Sequence, residues 1–220
     1  MNFLTLLEGL TYLSPILLLV GLLLGLYVFN RLDNGHKIIL LYFGFSLSID
    51  AISRLLSFYE QSNIFLLPLL AFFELIVFTF LYFRCLIGRF GIIDWGLVLV
   101  GLLFMIWEVS NLISIDIAQF QSYSKAVGSL VIVFLSVRYI VHVLNSEEDI
   151  KKDLLGLNNI ILLFFAINLV IFLPINFLIN EQSQLKFYFW MINLLMLLVF
   201  YGLLIRSVWK NGNRIQHLKS

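Results

Sequence analysis

Apolar residues occur along this chain in seven long runs, and a short polar break separates each run from the next. A helix needs about 20 apolar residues to cross the roughly 30 Å hydrocarbon layer of a bilayer, so each run predicts one spanning helix. The breaks contain Gly, Asn and Asp, which are typical turn residues. The pattern predicts an all-α seven-helix bundle forming one domain over residues 1–220, with spans at 12–29, 38–58, 64–87, 95–113, 124–144, 157–179 and 187–208.

The composition supports an integral membrane protein. Hydrophobic residues make up 61% of the chain and charged residues 12%, whereas soluble domains average about 45–50% apolar and about 25% charged residues. The net charge of +1 argues against a nucleic-acid partner, which would require a strongly basic face. The single cysteine and three scattered histidines predict no disulfide, metal site or cofactor. The lipid bilayer is therefore the expected partner.

The positions of Lys and Arg predict how the chain is oriented. With the N-terminus outside, eleven of the fourteen basic residues fall on the inner side, and only Lys125 and Lys186 fall on the outer side. Arg54 lies within a span. Cytoplasmic loops of multi-pass proteins are enriched in Lys and Arg. We therefore expect a multi-pass protein of the cell's inner (cytoplasmic) membrane, with the N-terminus outside and the C-terminus cytoplasmic.

The second run contains two charges in the stretch "LSIDAISRLL", residues 47–56. Asp50 and Arg54 are four residues apart, which is the spacing at which side chains meet on one helix face. A charge at the bilayer centre costs about 2.5–3.5 kcal/mol on insertion scales, so both residues are expected to face the bundle interior. In one interpretation the pair binds a ligand whose negative group lies nearest Arg54. In the other, the pair is a salt bridge that only fixes helix packing.

Other runs place polar residues at a similar depth, in the half of the membrane that the orientation makes outer. We predict an outer-half ligand-binding site in which the four charged residues converge in one cavity; its members are Asp50, Arg54, Glu74, Glu108, Asn111, Asn168 and Asn193. Lys125 is expected at the outer mouth of the fifth span. Three buried acids would then face one buried base, an imbalance that packing alone does not explain. The alternative is that these residues are interhelical hydrogen-bonding partners.

Several function classes lack the residues they need. A retinal protein requires a lysine inside the last span, and 187–208 contains none. The spans hold too few histidines for a metal-dependent hydrolase, and no buried serine has an evident His or Lys base. An enzyme that uses the buried carboxylates stays open, because acids in apolar surroundings suit general acid–base chemistry.

Two smaller patterns concern packing and the membrane interface. "GLLLG", from Gly21 to Gly25, has the Gly-xxx-Gly spacing that allows close helix contact. Aromatic residues near span ends predict interfacial belts; they are Tyr12, Tyr27, Tyr59, Trp95, Tyr188, Trp190 and Trp209.

Three stretches carry a resemblance to known proteins: "FFELIVFTFLYF", "FQSYSKAVGSLVIVFLSVRYI" and "FYFWMINLLMLLVFYGLL". Their layout resembles small bacterial seven-helix integral membrane proteins, and is similar to the seven-helix sensing modules that accompany membrane histidine kinases. In those sensors the kinase domain follows the last span, whereas this sequence ends at Ser220. The resemblance implies that any output passes to a separate partner.

The leading hypothesis is a receptor-like or regulatory module rather than an enzyme. A small ligand or lipid would bind in the outer-half site, and the inner loops would signal to a separate cytoplasmic or membrane partner. A transporter, or a membrane enzyme acting on a lipid or small solute, is the alternative, and a scaffold subunit comes third. A homo-oligomer is compatible with all three.

Overall fold

The computed structural model describes residues 9–63, 65–112, 123–145, 152–178 and 185–217. Seven helices in this part of the chain are long and apolar enough to cross a membrane, which confirms the predicted all-α architecture. They are α1 (Leu13–Tyr27), α2 (Asn34–Phe58), α3 (Leu66–Leu81), α4 (Ile92–Leu112), α5 (Ser124–Asn145), α6 (Lys152–Leu178) and α7 (Leu185–His217). A 3-10 turn, Phe29–Arg31, follows α1, and a π-helical turn, Tyr82–Leu86, extends α3.

Several helices are longer than the apolar runs that predicted them. The second helix begins at Asn34 rather than residue 38, because the Asp33 carboxylate accepts the backbone N–H of His36 at 2.8 Å and caps the helix. The sixth begins at Lys152, and the seventh continues to His217. Polar residues are compatible with a helix interior, unlike Pro and, to a smaller extent, Gly. A helix therefore does not have to end where its apolar run ends.

Six helices form a closed ring in the order α1, α2, α3, α5, α6 and α7, with α7 packed against α1. Helix α4 lies outside this ring in the groove between α3 and α5. The span containing α3 is 56% buried and the span of α4 only 28%. Helix α3 is therefore the central helix of the fold and α4 a peripheral one.

The bundle has two distinct ends. One holds the turn after α1, the turn between α3 and α4, and the end of α7, where Asn211 bonds to Asp33. We call it the basic end because most Lys and Arg side chains lie there, including Arg31, Arg89 and Arg214. The other end, at which α1 and α5 begin, is called the N-terminal end.

Aromatic rings fill the middle of the bundle. The Phe164 and Phe200 rings stack with centroids 3.8 Å apart, which joins α6 to α7. The Phe78 ring of α3 lies 5.2 Å from that of Tyr42 and 5.0 Å from that of Phe165. Offset and edge-on contacts of this kind add stability beyond the area they bury. The aromatic layer thus connects α2, α3, α6 and α7.

The Gly-xxx-Gly pattern marks a close helix contact, as predicted. A Cβ atom at Gly21 would lie 2.9 Å from side-chain atoms of both Phe43 and Ile205. At Gly25, the added atom would overlap the Leu40 side chain. Both glycines are buried, so their lack of a side chain lets α1 approach α2 and α7.

Large apolar side chains cover the outside of the bundle. Leu23 is 58% exposed, Leu103 64% and Val170 69%. The predicted interfacial residues are exposed as well, namely Tyr12, Tyr27, Tyr59, Trp95, Tyr188, Trp190 and Trp209. Soluble monomers rarely expose contiguous apolar surface on this scale. The surface suits lipid contact, in agreement with a multi-pass membrane protein.

Replacing Gly21 by Leu is expected to lower the free energy of unfolding by about 1–3 kcal/mol, because the added atoms overpack the contact between α1, α2 and α7. Gly96→Leu is the matched control, since a Cβ at Gly96 meets nothing within 4 Å. Unfolding of both variants in mild detergent measures the difference. Equal stability of the two variants would contradict the close-contact interpretation.

Candidate functional site

A buried ion pair joins the central helix to α5. The Lys125 ammonium donates to Glu74 Oε2 at 2.7 Å, and the two side chains are only 7% and 3% exposed. Lys125 is the second residue of α5, and a cation is unfavourable at the N-terminus of a helix. Its side chain nevertheless ends at a carboxylate in the middle of α3. The expectation that Arg54 is the one buried base is therefore wrong, because Lys125 is buried whereas Arg54 is 35% exposed.

Small residues bring three helices together beside this pair. A Cβ atom at Gly128, one turn after Lys125, would lie 2.8 Å from Met105 Cε and 3.8 Å from the carbonyl oxygen of Ala71. At Gly101 an added Cβ would lie within 3.3 Å of side chains from α3 and α5. Helices α3, α4 and α5 therefore approach one another closely at the level of the ion pair.

Glu108 of α4 is a second buried acid and caps α5. Its Oε2 accepts the backbone N–H of Tyr123, the residue before α5, at 3.1 Å. The first turn of α5 contains no acidic residue of its own. A carboxylate is favourable at this position because it satisfies a free N–H group and complements the helix dipole. Glu108 thereby fixes the start of α5 against α4.

Several buried polar atoms in this region have no hydrogen-bond partner among the described residues. They are Glu74 Oε1, Glu108 Oε1, Ser124 Oγ, Ser129 Oγ and Asn168 Oδ1; Thr79 Oγ1 shares this property. Folded proteins pair the large majority of their buried side-chain polar atoms. The concentration of unpaired ones on α3, α4, α5 and α6 therefore distinguishes this region as a candidate binding site.

Asp50 and Arg54 form the intrahelical pair that their spacing predicts. Arg54 Nε donates to Asp50 Oδ2 at 2.7 Å, and Nη2 donates to the carbonyl oxygen of Thr11, also at 2.7 Å. The guanidinium lies 5.0 Å from the centroid of the Tyr12 ring. These contacts clamp α2 to the residues before α1. The side chains are 35% and 24% exposed, so the pair is more accessible than Glu74 or Glu108.

Two core tyrosines pack beside one another in the interior of the bundle. Tyr42 of α2 and Tyr201 of α7 are 2% and 3% exposed, and their ring centroids lie 6.3 Å apart. Convergence of all four charged residues in a single cavity stays a prediction.

The three predicted asparagines differ in their burial. Asn168 is 2% exposed, and its neighbour Leu169 packs against the contact between Phe172 of α6 and Ala126 of α5. Asn111 and Asn193 are half-buried on α4 and α7. Asn168 is therefore placed beside α5, whereas ligand contact by any of the three stays a prediction.

Buried polar clusters also lie toward the basic end of the bundle. Asp94, which is completely buried, accepts from Arg138 and, at 2.6 Å, from the backbone N–H of Gly91. Asn158 Oδ1 accepts from the hydroxyls of Tyr82 at 2.8 Å and Ser136 at 2.9 Å. Apart from Gly91, which is three residues before Asp94, the partners are distant in sequence, and no local pattern identifies them.

His36 is the centre of another cluster at this end. Its Nδ1 lies 2.8 Å from Asp33 Oδ1, and its Nε2 lies 3.0 Å from Ser207 Oγ. The Asn211 amide donates to Asp33 Oδ2 at 2.9 Å. Burial alone would raise the pKa of Asp33, but His36 and the Asn211 amide outweigh it and hold that pKa below its usual value. The cluster joins the start of α2 to α7.

No protein-family model, curated protein sequence or solved structure matches this chain. Among the described residues, no group of three or more His, Cys, Asp or Glu side chains is arranged to hold a metal ion. The candidate site consists of the buried polar side chains around α5.

Replacing Lys125 by Met is expected to lower the free energy of unfolding by about 3–5 kcal/mol, because it leaves the Glu74 carboxylate buried without its partner. The double variant, Lys125→Met with Glu74→Leu, should recover most of that loss, since it removes both charges. Reversible unfolding in mixed micelles measures the two variants. A double variant as unstable as the single one would show that the ion pair is not the cause.

Proposed function

We propose that this protein is a receptor-like or regulatory membrane module that binds a small ligand or lipid among its buried polar residues. The observation that carries the proposal is the set of buried polar atoms around the Lys125–Glu74 ion pair that have no hydrogen-bond partner in the described part of the chain. Leaving a buried polar group without a partner costs about 1–3 kcal/mol. Proteins tolerate such locally unfavourable arrangements mainly at functional sites.

Helix α3 supports a regulatory function. It contains Glu74 and continues into the π-helical turn Tyr82–Leu86 at the basic end. Single π-helical turns within α-helices occur frequently at functional sites. Because α3 packs against α2, α4 and α5, a change in its position affects several neighbours. The basic end is the surface at which we propose that a separate cytoplasmic or membrane partner receives the signal.

The proposed orientation places the N-terminal end outside and the basic end in the cytoplasm, in the cell's inner membrane. Its basis is the distribution of Lys and Arg, eleven against two. Reporter fusions after Gly88 and Lys210 should therefore give an inner-side signal, and a fusion after Gln61 an outer-side signal. An outer-side signal from the Gly88 fusion would contradict this orientation.

Ligand binding is tested by native mass spectrometry of the protein purified from its membrane in mild detergent. We expect a small-molecule adduct on the wild type that is lost in Glu108→Gln, because Glu108 Oε1 is one of the unpaired acceptors. Glu60→Gln is the matched control, since Glu60 is an exposed acid in the turn after α2. Identical adducts on the wild type and Glu108→Gln would contradict binding at this site.

The native cysteine reports whether binding is coupled to the basic end. Cys85 is the only cysteine of the chain and lies in the π-helical turn. In the same experiment, its rate of reaction with a maleimide should differ between adduct-bearing and stripped protein. Equal rates would show binding without coupling and would favour the transporter or enzyme alternative.

A further inference from the structure

Three buried acceptor atoms that lack a partner within the described ranges restrict the chemistry of a ligand. Glu74 Oε1, Glu108 Oε1 and Asn168 Oδ1 belong to side chains of residues that are 3%, 6% and 2% exposed. All three atoms accept hydrogen bonds, and a carboxylate cannot donate one. A ligand group at this site is therefore favoured if it donates several hydrogen bonds.

The three acceptors come from three helices that pack around α5. Glu74 bonds to the Lys125 ammonium and Glu108 to the backbone N–H of Tyr123, so both carboxylates are bonded to residues at the start of α5. Asn168 lies one turn from Phe172, which packs against Ala126 in that turn. Helix α5 contributes two further unpaired hydroxyls here, from Ser124 and Ser129.

The balance of charge indicates the sign of the ligand. Glu74 and Lys125 neutralise each other at 2.7 Å. Glu108, the second buried carboxylate, accepts its hydrogen bond from a neutral backbone N–H group. Among the buried ionisable residues described at this level of α3, α4 and α5, the carboxylates outnumber the cations by one. A cation would restore neutrality, whereas an anion would add to the excess.

The guanidinium of Arg54 is a poorer candidate for recognising an anion than its sequence position indicates. It already contacts the Asp50 carboxylate, the Thr11 carbonyl and the Tyr12 ring. An anionic ligand would have to compete with the Asp50 carboxylate, which is held at 2.7 Å. The expectation of a negative ligand group nearest Arg54 is therefore less favoured than a cation near Glu108.

We infer that this site binds the ammonium group of an amine with an apolar tail. The inference rests on the proposed function and specifies the ligand class of the same site. A primary ammonium has three N–H donors, and the described residues around α5 offer it acceptor atoms on Glu108, Glu74 and Asn168. Its positive charge offsets the Glu108 carboxylate, and its apolar tail suits entry from a lipid phase.

The test compares n-octylammonium, n-octanol and n-octanoate, which share one chain length and differ in the head group. The full-length protein is reconstituted in nanodiscs of uncharged phosphatidylcholine, and binding is followed by its unfolding temperature and by isothermal titration. Only n-octylammonium should bind saturably to the wild type. Its apparent Kd should rise at least about tenfold in Glu108→Gln, as expected from the loss of one charge-assisted hydrogen bond.

Two further variants make the outcome decisive. Glu60→Gln removes an exposed acid at the same end and should bind like the wild type. Asn168→Leu removes a neutral acceptor and should also weaken n-octylammonium binding, which provides a second test if Glu108→Gln does not fold. Preferred binding of n-octanoate, equal binding of all three compounds, or no binding overturns the inference. A native adduct that depends on Glu108 would still support the proposed function in each of those cases.

Discussion

The ion pair between Lys125 and Glu74 constrains the rest of the bundle. Two opposite charges about 4 Å apart attract by roughly 4 kcal/mol even at an effective dielectric constant of 20, and each is costly to bury alone. Helices α3 and α5 are therefore fixed in register, and Gly101 and Gly128 allow α4 to approach them closely. Glu108 then attaches α4 to the start of α5. Helix α4, although peripheral, is thus held in place by a specific polar contact.

The central helix presents different chemistry on successive turns. Glu74, Phe78 and Tyr82 are spaced four residues apart along α3, and all three are buried. They contact the Lys125 ammonium, an aromatic layer and the Asn158 amide, respectively. The aromatic layer thus separates the polar region around α5 from that at the basic end. Tightly packed rings leave few voids large enough for water, but they transmit displacement. A signal between the regions would therefore depend on movement of α3.

The sequence predicted features that depend on local spacing and missed those that depend on distant contacts. Seven spans follow from counting apolar residues, and the bond between Asp50 and Arg54 follows from helix periodicity. The partner of Glu74 lies 51 residues away, and a lysine near a helix end can extend toward either the surface or the interior. Asp94 follows a glycine-containing break that is typical of a loop, yet it is completely buried in the first turn of α4. Spacing along the chain contains no information about such partners.

The order in which the ion pair is made has a consequence for biosynthesis. Glu74 leaves the ribosome 51 residues ahead of Lys125, which at about 5–20 residues per second corresponds to a delay of roughly 3–10 s. Throughout that interval the third span contains a carboxylate whose partner has not been synthesised. An acid at the centre of a span adds about 2.5–3.5 kcal/mol to its insertion, so we expect α3 to be more favourably placed beside water or protein until α5 arrives. One pair of side chains would in this way couple the entry of the third and fifth spans into lipid.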